Sequence, residues 1–263
     1  MRLITNYRDF RSLKNLEQGC KSAGNSILLT LYRTNMKKFF SAILVLLLAI
    51  NTHSQKLSQV SFSGATTLSS LSFVTDQNVL IRVSADGKMM DYGTEVMSER
   101  SNNYFAPKLQ PFMGRIDNYP ADSDSAYRGK VKSIGTCMIT YYGSLEKDDK
   151  PGKLKSIGAI PLDYYTQFEN AAYKGKLRFA GTLVLNYYPS LENEAFRGKL
   201  KSVGNTVIKY HSTFDDKLIQ GKIKSIGSVN YNWGTSLDPQ GQKGALKSGT
   251  YRALINGVTY IIQ

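Results

Sequence analysis

A heptapeptide that returns every 23 residues constrains this chain more than any other feature. Gly198-Lys199-Leu200-Lys201-Ser202-Val203-Gly204 has close copies starting at Gly129, Gly152, Gly175 and Gly221, and a shortened one at Gly244. A fixed period implies one supersecondary unit stacked on copies of itself, each covering its neighbour's apolar face. The 17 Tyr and 22 Gly favour strands and turns over helices.

Counting from the first Gly of each unit sorts the residues into columns. Position 3 is Val131, Leu154, Leu177, Leu200 or Ile223, and position 7 is Gly throughout. Position 9 is Cys137, Ile160, Leu183, Thr206 or Val229; position 11 is Ile139, Leu162, Leu185, Ile208 or Tyr231. Position 13 is Tyr141, Tyr164, Tyr187, Tyr210 or Trp233, and positions 2 and 4 are basic. A hairpin whose loop is positions 5–7 separates these columns, because the loop-final Gly supplies a left-handed residue. Position 3 then pairs with 9, Gly 1 with 11, and the preceding aromatic (Tyr173, Phe196) with 13, all on one apolar face. The cations at 2 and 4 share the opposite face with 8, 10 and 12. A two-residue turn at 7–8 sets Lys 4 against aliphatic position 11 and is disfavoured by strict alternation. The alternative is one long strand per repeat wound into a parallel β-solenoid. Positions 15–21 form the connection, with Phe168, Leu191, Phe214 or Leu237 expected to tuck under as anchors.

The expected fold is all-β: tandem 23-residue β-hairpin repeats in an extended or curled antiparallel meander sheet. One side is apolar and must be covered, by curling, by a second chain or by another surface. Across 107–263 the pattern resembles the MORN repeat in period and hairpin form, without its Tyr-x-Gly signature. It also resembles secreted bacterial proteins built on Gly-Lys-x-Lys-Ser-Ile-Gly units. Neither resemblance implies an activity or a functional residue for this chain.

The flanks suggest export. Met36-Lys37-Lys38, the apolar run Phe39–Ile50 and Thr52-His53-Ser54 have the form of a signal peptide over 36–54, too short to span a bilayer comfortably. Residues 1–35 then read as an extension upstream of the true start. Without residues 1–54 the chain carries 26 basic and 18 acidic residues, from totals of 34 and 20, so its net charge falls from +14 to +8. Residues 55–106 hold N-terminal strands and a two-residue hairpin turn at Asp86-Gly87, with Val83 opposite Met90, Ile81 opposite Tyr92 and Arg82 opposite Asp91. The repeat array runs over 107–243, opening with a degenerate unit. Residues 244–263 form a capping hairpin that turns at Asn256-Gly257.

Two columns are candidate binding residues. The cations Lys130, Lys132, Lys153, Lys155, Lys176, Arg178, Lys199, Lys201, Lys222 and Lys224 would form a ladder suited to an anionic envelope polymer or lipid head groups, or a solvated face that blocks edge pairing. Position 14, which is Tyr142, Tyr165, Tyr188 and then His211, points to the same side and suits sugar stacking, a protein partner, or plain packing against Lys stems. His211 is the one histidine after the leader, so no His-based metal site or relay is expected. Cys137 on an apolar column reads as buried packing. No nucleotide loop, cofactor motif or catalytic constellation is recognisable, and the export signal argues against nucleic acid. The reading is a non-catalytic, exported repeat protein of the periplasm, outer surface or medium, with no transmembrane span in the mature chain. It is expected to act as a scaffold or binding surface, with another envelope protein among the candidate partners; a glycan-active enzyme on a closed barrel is the outlying alternative.

Overall fold

Left-handed backbone at the repeat glycines brackets the first strand of each hairpin in the array. The computed structural model describes residues 56–96 and 108–263. The expected leader, the segment ahead of it and Pro107 lie outside the described residues.

The chain opens with β1 (Lys56–Ser63), β2 (Thr67–Val74), β3 (Leu80–Val83), β4 (Met89–Glu95) and the short β5 (Leu109–Gln110). The array follows: β6 (Ile116–Asn118), β7 (Val131–Ile134), β8 (Cys137–Tyr141), β9 (Leu154–Ile157), β10 (Ile160–Tyr164) and β11 (Leu177–Ala180). It continues with β12 (Leu183–Tyr187), β13 (Leu200–Val203), β14 (Thr206–Tyr210), β15 (Ile223–Ile226) and β16 (Val229–Asn230). β6 to β16 form one open sheet of 11 strands in sequence order, and the neighbours are antiparallel. The hairpin meander is therefore the architecture, and the parallel solenoid is excluded. β17 (Asn232–Trp233) pairs with β18 (Leu246–Ser248), carrying the register one unit further.

The bend falls later than the sequence reading placed it. Val203 pairs with Thr206 and Ser202 with Val207, so the turn is Gly204-Asn205, positions 7 and 8, and not a loop of 5–7. The expected pairs 3 with 9 and 1 with 11 do not form. The five position-7 glycines have φ between 52° and 62°. Glycine at the first central residue is a favoured two-residue hairpin connection. The objection to this turn was strict alternation, and a β-bulge removes it. Ile208 pairs with Ile226 and Lys209 with Ser225, but Tyr210 pairs with Ile223, so Lys224 is an extra residue. Positions 4 and 5 thus both turn outward, while positions 3 and 6, three apart, both turn inward. Position 6, read as loop, is core: Ile134, Ile157, Ala180, Val203 and Ile226 are buried.

The chain covers its own apolar face. β19 (Arg252–Ile255) and β20 (Val258–Ile262) join the first strands in a seven-stranded sheet ordered β19-β20-β1-β2-β3-β4-β5. Phe62, Phe73, Ile81 and Tyr260 of this sheet share one core with Ile139, Leu162, Leu185 and Ile208 of the array. This gives two packed β layers. The bulge leaves position-3 N–H groups needing acceptors. Turns of the covering sheet supply them in three of the five repeats: Leu154 donates to Gly87 O (3.1 Å), Leu177 to Ala85 O (2.7 Å) and Ile223 to Ala65 O (2.9 Å).

Two further expectations need correction. The hairpin at Asn256-Gly257 forms, with φ of 50° and 78°, but it does not cap the array; β20 runs parallel to β1, Val60 opposite Tyr260. At Asp86-Gly87 only Gly87 is left-handed, and Ser84 N bonds to Lys88 O, which makes a three-residue loop. Ile81–Tyr92 and Arg82–Asp91 pair as expected, while Val83 meets Met89 because a bulge intervenes.

Position-1 glycines are also left-handed, and their surroundings differ. A Cβ at Gly221 (φ 71°) would lie 2.7 Å from Ala195 O and 2.6 Å from Lys199 Nζ, whereas one at Gly129 (φ 74°) meets nothing. Gly129→Ala should therefore cost about 1 kcal/mol, backbone strain alone. Gly221→Ala should cost at least about 1 kcal/mol more, because the carbonyl cannot yield without moving the loop. Chemical denaturation of the two variants compares them directly.

Candidate functional site

The bulge at position 4 divides the cation columns that the sequence reading placed on one face. Position-2 lysines turn toward the next repeat. Lys130, Lys153, Lys176 and Lys199 donate from Nζ to the position-1 glycine carbonyl of the following unit at 2.5–2.7 Å, and Lys222 does the same to Gly244. Each ammonium also lies 4.8–5.2 Å from the ring at position 13 of its own repeat. These cation–π contacts run parallel to a charge-assisted hydrogen bond. Burial holds Lys130, Lys153, Lys176 and Lys222 below the usual lysine range and takes Lys199 to about 8. Half of the proposed ladder is therefore fastening between repeats.

Position-4 cations are the outward half. Lys132, Lys155, Lys201 and Lys224 are exposed and Arg178 is half-buried. Lys132, Lys155, Arg178 and Lys201 lie 5.3–5.9 Å from the position-14 ring of the preceding repeat. Several also meet the acid at position 18 of that repeat: Lys155 with Glu146 at 3.8 Å and Arg178 with Glu169 at 3.2 Å. Lys247, in the shortened unit, holds Asp238 at 2.6 Å. The row is one of partial ion pairs, screened by solvent.

Position 14 forms a ladder. Tyr119, Tyr142, Tyr165 and Tyr188 each donate a hydroxyl to the position-11 carbonyl of the next repeat at 2.9–3.0 Å. Their rings sit edge-on to the next position-13 ring at 6.0–6.1 Å. They are packing residues rather than open stacking platforms. His211 breaks the ladder: its ring nitrogens are buried without a hydrogen-bond partner, and Nδ1 lies 3.6 Å from Asp215 Oδ1. Behind this row, the position-13 rings are buried; Tyr164 and Tyr210 donate to Leu154 O and Leu200 O, and Trp233 Nε1 to Ile223 O.

Two columns escaped the sequence reading. Position 19 is Asp124, Asn170, Asn193 and Asp216, with Lys147 interrupting the column in the repeat that starts at Gly129. Each Asx accepts from the N–H two residues on and from the backbone N–H at position 16 of the next repeat. Asn and Asp favour such turns, and an Asx recurring at 23-residue spacing was the available signal. Position 17 is Leu145, Phe168, Leu191, Phe214 and Leu237. Far from tucking under, these side chains are 85–98% exposed. Their backbone carries the connection over the surface, and no core lies beneath it.

Cys137 is buried in the core and burial pushes its thiol up to about 11, as expected of a packing residue. Among the described residues no group of three or more His, Cys, Asp and Glu is placed to hold a metal. Among the same residues no helix is long and apolar enough to cross a membrane. No protein-family model matches the chain, and neither a curated protein nor a solved structure matches it either.

Three outcomes follow from these contacts. Lys199→Met should cost about 2 kcal/mol, since it removes a charged hydrogen bond and a cation–π contact, while Lys201→Met should change the unfolding midpoint little. His211→Tyr should stabilise the chain by about 1 kcal/mol by restoring the missing rung, measured as a raised melting temperature. Burial holds the Tyr164, Tyr187 and Tyr210 hydroxyls above their ordinary 10.0. The stability tied to these hydroxyls is therefore intact below pH 10 and lost as pH rises past it. Phenolate absorbance from them should appear together with the loss of β-sheet circular dichroism.

Proposed function

We propose that this is an exported, non-catalytic repeat protein of the cell envelope that serves as a rigid scaffold. One observation carries the reading: the recurrent polar side chains are spent on joining one repeat to the next. Lys 2, Tyr 14 and Asx 19 all bond the following unit, at separations of 22, 20 and 20 residues. Side chains committed to internal bonds make a stiff ribbon and leave little to poise for acid–base or nucleophilic work. A stiff ribbon with a constant step suits spacing or presenting other molecules, as repeat surfaces generally do. Export rests on the leader-like run at 36–54.

The second reading, retention of an anionic glycan or of lipid head groups, now rests on the position-4 cations alone, because Lys132, Lys155, Lys201 and Lys224 are exposed. Replacing these four with Glu separates the two readings. The scaffold reading expects a folded variant with unchanged retention on an acidic polysaccharide; loss of retention with the fold intact favours the second. Fractionation tests export: the mature chain should start near Gln55 outside the cytoplasm, and a cytoplasmic chain with residues 36–54 intact ends the envelope reading.

A further inference from the structure

The connections carry a feature that the scaffold reading does not use. Leu145 (96% exposed), Phe168 (85%), Leu191 (98%), Phe214 (95%) and Leu237 (95%) occupy one position of successive repeats. Repeats advance by two strands, so neighbours in this row stand about 10 Å apart and the row runs about 40 Å along the array's flank. A scattered exposed leucine needs no account, but five bulky apolar side chains at one repeat position form a continuous ridge. The interior gains nothing from them, and the acids beside three of them serve the fold instead: Glu169, Asp215 and Asp238 accept the backbone N–H at position 15 of their own loops.

We propose that this ridge is a self-association surface on which a second copy of the chain docks antiparallel about a two-fold axis through Leu191. The order Leu-Phe-Leu-Phe-Leu reads the same in both directions. A two-fold at the central residue sets Phe168 beside Phe214 of the second copy and Leu145 beside Leu237, with no ridge residue unmatched. Isologous pairing requires this kind of self-complementarity, and it closes at two chains. Five such side chains with the backbone between them present on the order of 800 Å² per copy, so a standard interface would have to cover nearly all of it. The acids of the flank decide how charge bears on the contact: Glu192, beside Leu191 on the axis, is partly exposed and meets its own copy across the two-fold. Glu146, Glu169 and Asp238, next to the ridge, are held by Lys155, Arg178 and Lys247 of their own chain.

Sedimentation equilibrium on the chain lacking residues 1–54 tests the proposal. The wild type should run as a dimer and the double variant Phe168→Asp/Phe214→Asp at half that mass. An unchanged circular dichroism spectrum and melting temperature would show that it still folds, as expected of side chains that touch no core. Disulfide trapping reports the geometry independently, since Cys137 is buried and does not interfere. Leu191→Cys should cross-link two chains under mild oxidation, Leu145→Cys alone should not, and Leu145→Cys/Leu237→Cys should. A wild type that stays monomeric at high concentration overturns the proposal, as does a dimer that survives the double variant or cross-links through Leu145→Cys but not Leu191→Cys. A monomer that binds phosphatidylcholine vesicles through the same side chains overturns it in favour of a lipid surface. The scaffold reading stands or falls separately, on fractionation and polymer retention.

Discussion

A cation reaching over an aromatic ring to a glycine carbonyl is the joint on which the array depends. Each position-1 glycine is left-handed, and from Gly152 onward its carbonyl accepts from the lysine of the unit before. The same lysine lies over its own Tyr or Trp at position 13. Backbone conformation, a charged hydrogen bond and an aromatic contact are thereby linked at one point, and each constrains the others. An L-residue at position 1 would strain the backbone that aims the carbonyl, and a shorter side chain at position 2 would leave both carbonyl and ring without their cation.

The bulge is the second organising device, and it explains why one face of the array needs a lid. By putting positions 3 and 6 on the same side it enriches the inner surface in Leu, Ile and Val beyond what plain alternation would bury. It also leaves N–H groups at position 3 that point away from the ladder. The turns at Ala65, Ala85 and Gly87 answer with carbonyls, so the covering sheet meets both an apolar and a polar demand of the array. At Gly87 the fit is close enough that an added Cβ would lie 2.2 Å from the Tyr164 hydroxyl.

What was legible in the sequence followed from periodicity. The 23-residue step, the glycine bend and the buried aromatics of position 13 all stand out as columns. The register of the bend did not, because alternation alone ranks a bulged hairpin below an unbulged one. The constant apolar residue at position 6 was the clue, since a loop has no reason to conserve an Ile or Val before its glycine in unit after unit of one chain. The split of the lysine columns follows from the same bulge and was hidden with it. Tyr 14 was read as outward, and the structure spends its hydroxyl on a carbonyl 20 residues away, a distance no local pattern reports. The covering sheet was illegible for a different reason. β20 joins β1 across almost the whole chain, and such pairing leaves no local trace. Position 17 misled because apolar residues in a connection usually find a core, and here none lies below.

The lid also bears on how such a chain can change over evolutionary time. Open solenoids gain and lose units freely, because a new copy brings its own neighbour interface. Here all five repeats are fastened to particular turns of the overlying layer, through Thr136, Leu154, Leu177, Thr206 and Ile223. A duplicated unit would arrive with an uncovered greasy face, and a deleted one would pull these attachments out of step. The tally of repeats is thus locked by an element that is not itself repeated, and drift in this lineage should appear in the connections rather than in the number of hairpins.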